Sequence, residues 1–310
     1  MIDQAARRLD ELARTDPVAA PLAALHAEVL HAAADPAWEA GVPAFTANRL
    51  GDGLPLLHGQ TLAVDPELIG RLLLRLSDIA AASGSAAGTG PDRIASVRQA
   101  LRSAALEPLA TLEAIVAQDT ARLEAVAGAA GVDLDALAVL GQLAAVPLLR
   151  ACGRRAAPLL VGAGWEAGYC PVCAAWPALA ELRGLERRRW LRCGRCGAGW
   201  TYFLQRCVYC ANADHRTTGY LAAEADRESR RALTCDECHG YLKAVATLGE
   251  LAPAEIAVHD LSTLELDAAA LGAGYGRPEA PGFPLEVRVV AAEAAEAPAQ
   301  RRRGWLDWRR

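Results

Sequence analysis

The sequence predicts an α+β protein: a mainly helical N-terminal domain over residues 1–160, followed by two small rubredoxin-like or zinc-ribbon modules. Three observations carry this reading. Apolar residues recur at three- and four-residue spacing through the first half. Four CxxC pairs fall between Cys170 and Cys238, spaced for two tetrahedral metal sites. Around them, short runs such as Trp200-Thr-Tyr-Phe-Leu-Gln and Gly219-Tyr-Leu have strand texture and are punctuated by the CxxC turns. At 310 residues two or three domains are expected. The changes of texture place a first four-cysteine ribbon at 165–205, a second at 206–245, and a helical segment with a basic tail at 246–310.

Along the chain, Ile2, Ala5, Ala6, Leu9, Leu12 and Ala13 share one face of an opening surface helix that ends at Pro17. A second helix carries Leu22, Leu25, Val29 and Leu30, and the Gly- and Pro-rich stretch from Asp35 to Gln60 reads as an irregular connection. Asp65-Pro66-Glu67 is a helix start, an N-cap carboxylate followed by proline. Its buried stripe is Leu68, Ile69, Leu72, Leu73, Leu76 and Ile79. Ser83 to Gly90 is a flexible loop, and helical spacing then continues from Ile94 to Leu123 with a kink expected at Pro108. Leu134 to Leu149 gives one more apolar helix, and Gly153 to Tyr169 reads as the passage to the next domain.

Composition excludes several classes. Hydrophobic residues make up 53% and aromatics only 5%, which favours helices packed through small side chains. The formal charge of -5 argues against a surface built for nucleic acid or anionic membranes. Of the 32 cationic side chains, Lys243 is the only lysine, a bias read as a GC-rich genome. The N-terminus lacks the continuous apolar stretch of a secretory signal. No run approaches the roughly 18–20 apolar residues of a membrane span, since Ala138 to Ala151 is broken by Gly141, Gln142, Pro147 and Arg150. The expected location is the cytoplasm, where structural disulfides are rare, so eight paired cysteines point to metal or redox chemistry.

The pairs are Cys170/Cys173, Cys193/Cys196, Cys207/Cys210 and Cys235/Cys238, and each supplies half of a tetrahedral site. Pairing the first with the second leaves 19 residues between inner cysteines, and the third with the fourth leaves 24, close to ribbon spacing. A cross-braced alternative, first with third, differs little in closure entropy. The short link from Cys196 to Cys207 favours sequential pairing. Four CxxC copies do not fit a thioredoxin-like redox pair, which needs one motif at a helix start. The donor set suits zinc and a single rubredoxin-type iron equally, whereas iron–sulfur cluster spacings are missing. Gly197 suits the left-handed position after its knuckle; Ala174, Ala211 and His239 occupy the matching places less well.

Other candidates are assigned bland roles. His215 and His239 are expected beside the sites or on the surface rather than as ligands. His26, His31, His58 and His259 have no ligand spacing, and Cys152 reads as a buried small hydrophobe. Between Trp165 and Val245 there are 12 cationic and 9 acidic side chains, an excess largely offset by eight thiolates around two divalent ions. Nucleic acid is therefore not the expected partner. No nucleophile–base pair, phosphate loop or carboxylate dyad has interpretable spacing, so an enzyme is not expected.

The order of these motifs resembles the formate dehydrogenase accessory proteins of the FdhE family. The resemblance is carried by Cys170-Pro-Val-Cys173, Trp190-Leu-Arg-Cys193-Gly-Arg-Cys196, Cys207-Val-Tyr-Cys210, Cys235-Asp-Glu-Cys238 with Tyr241-Leu-Lys243, and Asp260 to Asp267 with Gly274-Tyr275. It implies a helical domain followed by two rubredoxin-like modules, with iron favoured over zinc. It also implies a cytoplasmic, chaperone-type factor that matures respiratory formate dehydrogenase and contacts its catalytic subunit before twin-arginine export. The ribbons and the segment from Asp260 through Thr263 and Asp267 to Tyr275 would then form the partner surface. An electron-transfer protein with two rubredoxin-like irons and a zinc-ribbon partner of nucleic acid or ribosome stay open. The chain departs from the family in having Pro281-Gly-Phe-Pro284 where an Asn-Pro pair is usual, and in its tail from Arg301 to Arg310, read as a solvated basic terminus.

Overall fold

The computed structural model describes residues 2–83, 91–226 and 228–292; the loop expected up to Gly90 (beyond Ser83) and the tail from Arg301 lie outside them. Helices α1 (Ile2–Thr15) and α2 (Ala20–Ala32) follow the sequence pattern, with Ala5 and Leu9 buried against Ala23 and Ala27. Within the stretch expected to be irregular, α3 (Ala37–Ala40) and α4 (Asn48–Gly51) are single turns fixed by the burial of Trp38 and Leu50. At its end Gln60–Val64 forms an unexpected strand, β1. In α5 (Pro66–Ala82) the Asp65 carboxylate accepts the Glu67 N–H at 2.9 Å, and Ile69, Leu72, Leu73 and Leu76 are buried.

Pro108 does not kink a helix but starts one. The chain breaks between α6 (Pro91–Arg102) and α7 (Pro108–Ala117), with Glu107 extended as the residue before proline must be. After α8 (Thr120–Ala130), α9 runs from Leu134 to Leu160, 27 residues rather than the 16 or so expected, and absorbs Pro147, Gly153 and Pro158. Burial explains the difference: packed by α2, α3, α5, α6, α7 and α8, it keeps its helix despite the N–H groups the prolines lack. By length and composition α9 could cross a membrane, but 83% of its most apolar window is buried inside the protein.

The two cysteine ribbons are joined in one six-stranded sheet. The strands are β2 (Leu179–Arg183), β3 (Arg188–Arg192), β4 (Gly199–Thr201), β5 (Thr218–Leu221), β6 (Arg230–Cys235) and β7 (Gly240–Thr247), in the order β4-β3-β2-β7-β6-β5. Each ribbon contributes three antiparallel strands. They meet through a parallel β2–β7 pairing, with Leu179 opposite Lys243 and Arg183 opposite Thr247. Helices α10 (Glu255–Leu261) and α11 (Leu264–Gly272) follow, as the pattern after Lys243 predicts. The helical reading of the last segment misses β8 (Val287–Ala291), which returns to pair in parallel with β1. One apolar core runs without a break from the helices into the first ribbon, taking in Leu56, Ile115, Leu149 and Cys152 together with Cys170 and Cys193.

Candidate metal centres

The four CxxC turns are built alike. The Cys170 N–H donates to the Ala175 carbonyl at 2.8 Å and the Ala174 N–H donates back to Cys170 at 3.0 Å. The same pair of bonds recurs at Cys193 with Gly197 and Ala198, and at Cys207 with Ala211 and Asn212. At the fourth turn, Cys235 pairs with Gly240 across β6 and β7. The residue after each second cysteine is left-handed: Ala174, Gly197, Ala211 and His239 have φ of 60°, 79°, 58° and 52°. For the three non-glycines this costs about 1–2 kcal/mol each. A tetrahedral thiolate-bound ion, contributing about 10–16 kcal/mol, outweighs that.

These turns bring Cys170, Cys173, Cys193 and Cys196 together as one set, and Cys207, Cys210, Cys235 and Cys238 as the other. Within each, all sulfurs lie within 4.8 Å of one another. Nearest Sγ pairs are Cys170–Cys196 at 3.4 Å, Cys173–Cys193 at 3.5 Å, Cys207–Cys238 at 3.7 Å and Cys210–Cys235 at 3.8 Å. A tetrahedron with metal–sulfur bonds of about 2.3 Å has edges of about 3.8 Å, so both sets fit a zinc-sized ion. All nine cysteines are free thiols. The cross-braced arrangement is not formed, and His215 and His239 stand outside both sets.

The electrostatics of the first set call for a cation. Burial pushes the Cys170 and Cys196 thiols up, while sulfur hydrogen bonds from the other three cysteines hold Cys193 down. A divalent ion supplies the charge that four thiolates require. In the second set Cys235 lies near 7: burial raises it, but the Cys238 N–H and the Asn212 amide outweigh that. Cys152 is buried and inert, pushed up to about 12 chiefly by burial.

The two surroundings differ. The first set is clamped by the N-terminal half: in the turn before β1 the Leu56 and Leu57 N–H donate to the Pro171 and Val172 carbonyls at 2.8 and 3.0 Å, and after α7 the Gln118 amide donates to the Cys173 carbonyl at 3.2 Å. Arg195 donates to the Ile115 carbonyl at 2.6 Å, and Arg150 reaches the Gly194 carbonyl at 3.3 Å. Burial drags the Arg150 guanidinium down to about 10, against the pull of Cys196 and Cys193. Around the second set, Asn212 donates to Cys235 Sγ at 3.6 Å and the Tyr209 hydroxyl to the Tyr241 carbonyl at 2.9 Å. Trp176 bridges the sets, edge-on to Tyr209 at 5.1 Å and to Tyr169 at 6.2 Å.

The arginines that crowd the first ribbon are turned to intramolecular work. Arg183 pairs with Glu181 at 2.6 Å, Arg187 with Glu228 at 3.0 Å and Arg188 with Glu186 at 2.9 Å. Arg192, wholly buried, pairs with Glu181 and Glu250, and Arg189 donates to the Phe203, Leu204 and Arg206 carbonyls.

The segment expected to meet a partner is tied into the protein by its own side chains. Lys243 is 1% exposed, and its Nζ lies 2.7 Å from Asp260 Oδ1, 2.6 Å from Asp267 Oδ2 and 2.6 Å from the Asp260 carbonyl. Arg277 and the Tyr241 hydroxyl complete the cluster. Thr263 is buried and donates to the His259 carbonyl at 2.8 Å. Asp260 and Asp267 on Lys243 latch α10 and α11 to β7, because a buried ammonium must be paired, while Thr263 bonds only to carbonyls of α10. Asp260, Asp267 and Tyr275 are half-buried, and the Tyr275 hydroxyl donates to Asp236 at 2.6 Å. Sequence reasoning missed this latch, whose signal was the solitary lysine.

The family profile described as FdhE, C-terminal domain, matches residues 205–282, the second cysteine set included. The chain is FdhE-like. It is 36% identical over 120 residues to a protein FdhE homolog of Stutzerimonas stutzeri (strain A1501), covering 37% of this chain and 38% of that one. Over 114 residues it is 33% identical to a protein FdhE homolog of Shewanella baltica (strain OS223), 36% of either chain. The matched stretch thus spans little more than a third of these relatives. The crystal structure of the FdhE protein from Pseudomonas aeruginosa has the same fold, with a TM-score of 0.54 at 23% identity over 92% of this chain and 95% of that one.

Proposed function

We propose that this FdhE-like chain is a cytoplasmic accessory protein in the maturation of respiratory formate dehydrogenase. It acts as a binding protein rather than an enzyme, carries two metal ions each held by four cysteines, iron before zinc, and engages the catalytic subunit before export. The observation that carries the reading is the FdhE C-terminal domain over residues 205–282, which contains a complete four-cysteine set. Deletion from the host tests it: formate-dependent dye reduction is lost while the enzyme's polypeptides are still made, and normal dye reduction refutes it. Protein purified without oxygen carries two ions per chain, and iron would show red ferric–thiolate absorption in air. One ion, or labile sulfide, overturns the two-site part.

A second reading, rubredoxin-like electron transfer, is favoured by the exposure of Cys210 and Cys238, which brings the second centre to the surface. Reversible reduction of the bound metal at a physiological potential supports it, and a redox-silent metal rejects it.

A further inference from the structure

We infer that the two centres are not equivalent: the set of Cys207, Cys210, Cys235 and Cys238 exchanges its ion with soft, thiophilic metals in solution, while the set of Cys170, Cys173, Cys193 and Cys196 is closed. This rests on the reading that both sets hold ions. Exposure is the first ground. Cys170, Cys173 and Cys193 are 0% exposed and Cys196 is 2% exposed, whereas Cys210 and Cys238 are open to solvent. An incoming thiol, chelator or metal must reach a ligand sulfur to start associative exchange, and only the second set presents one.

What must open is the second ground. Freeing the first set requires lifting its turns from Leu56, Leu57, Gln118, Ile115 and Arg150, which belong to or border the continuous apolar core. Sites whose release needs core opening exchange through near-global unfolding, whereas surface sites exchange through local fraying. Around the second set the restraints are the Asn212 amide, the Tyr209 hydroxyl, the Tyr202 hydroxyl on the Cys207 carbonyl, the Tyr275 hydroxyl on Asp236 and the β6–β7 turn; Val208 packs in that core, but the four cysteines stand outside it. Local charge points the same way. The fourth turn carries exposed Asp236 and Glu237 between its cysteines, which attract cations, while the second turn carries Arg195.

The test uses the full chain, purified without oxygen and loaded with two ions. It is exposed to EDTA and a pulse of iodoacetamide, then unfolded and labelled with the heavy isotope, and each cysteine is read by mass spectrometry. The expected result is early loss of one ion, with Cys207, Cys210, Cys235 and Cys238 alkylated at least about tenfold faster than the other set. Cadmium added before the pulse fills the emptied set and restores its protection. A cleft bordered by Arg150, Trp165, Trp200 and Pro253 comes up to Cys196. If that cleft admits the chelator, both sets are labelled at one rate, or the first set leads, and the proposal is overturned. A chain that binds no ion in either set overturns the metal reading as well.

Discussion

The sharpest test of how the helices hold the first centre is a single methyl group. Gly153 sits inside α9, where alanine is the better helix former by about 1 kcal/mol, so on propensity alone Gly153→Ala should stabilise. The structure reverses the sign. A Cβ there would stand 3.1 Å from the Cys196 carbonyl carbon and 3.6 Å from its Cβ, and nearer still to the carbonyl oxygen. That carbonyl cannot swing aside, because the turn is tied by the bonds between Cys193 and Ala198 and between Gly197 and Cys193. Overpacking against a fixed neighbour costs about 1–3 kcal/mol, and here the neighbour is backbone. Net of the helix gain, the expected loss is roughly 0–2 kcal/mol, with the Cys196 sulfur displaced from its set. Gly128 in α8 is the control: nothing lies within 4 Å of its would-be Cβ, so Gly128→Ala should gain about 0.5–1 kcal/mol. Urea midpoints of metal-loaded protein and metal per chain are the measurements. A Gly153→Ala protein as stable as Gly128→Ala, with both ions retained, would refute the packing argument.

Two further expectations concern charge. Lys243→Met removes the only ammonium between Asp260 and Asp267 and should cost about 3–5 kcal/mol, with partial recovery on adding Asp267→Asn; chemical denaturation checks both. His26 is held below its ordinary pKa, first by burial and then by Arg150, with Asp260 opposing. Its unfolded form therefore binds the proton more readily, so stability is full above about pH 6.5 and falls as pH drops below it. His26→Gln should flatten that slope, and an unchanged slope in urea titrations from pH 7.5 downward would assign the effect elsewhere.

Much of this molecule could be read before any coordinates, because the decisive signals are local. The Asp65-Pro66 start of α5 and the eight-cysteine pattern each depend on a few neighbouring residues, and the structure forms both. What could not be read is set by long-range partners. Pro147 and Pro158 look like helix stops, but α9 is surrounded by other helices and passes through them. The partners β1 and β8 pair across more than 220 residues, with nothing in either short run to announce the other. Asp260 and Asp267 sit on a polar-looking segment, and nothing local in it announces that both pair with the one lysine. The left-handed Ala174, Ala211 and His239 fall in between: their positions follow from the knuckle, although their side chains argue against them.

The parallel junction of the ribbons changes what the matched domain means. Residues 205–282 contain β5, β6, β7, α10, α11 and the second cysteine set, but not β2. Strand β7 belongs to both halves: one edge pairs with β6, the other with β2, and its Lys243 holds α10 and α11 in place. Without the first ribbon, the β2-facing edge of β7 would stand open as an unpaired template, a liability that proteins normally cover. The first ribbon covers it while its own centre is fixed in the helical core by Leu56, Leu57, Gln118 and Arg195. The chain of support therefore runs from the helices, through the closed centre and β2, to β7 and the exposed centre. Only the last of these presents cysteines to solvent, at Cys210 and Cys238.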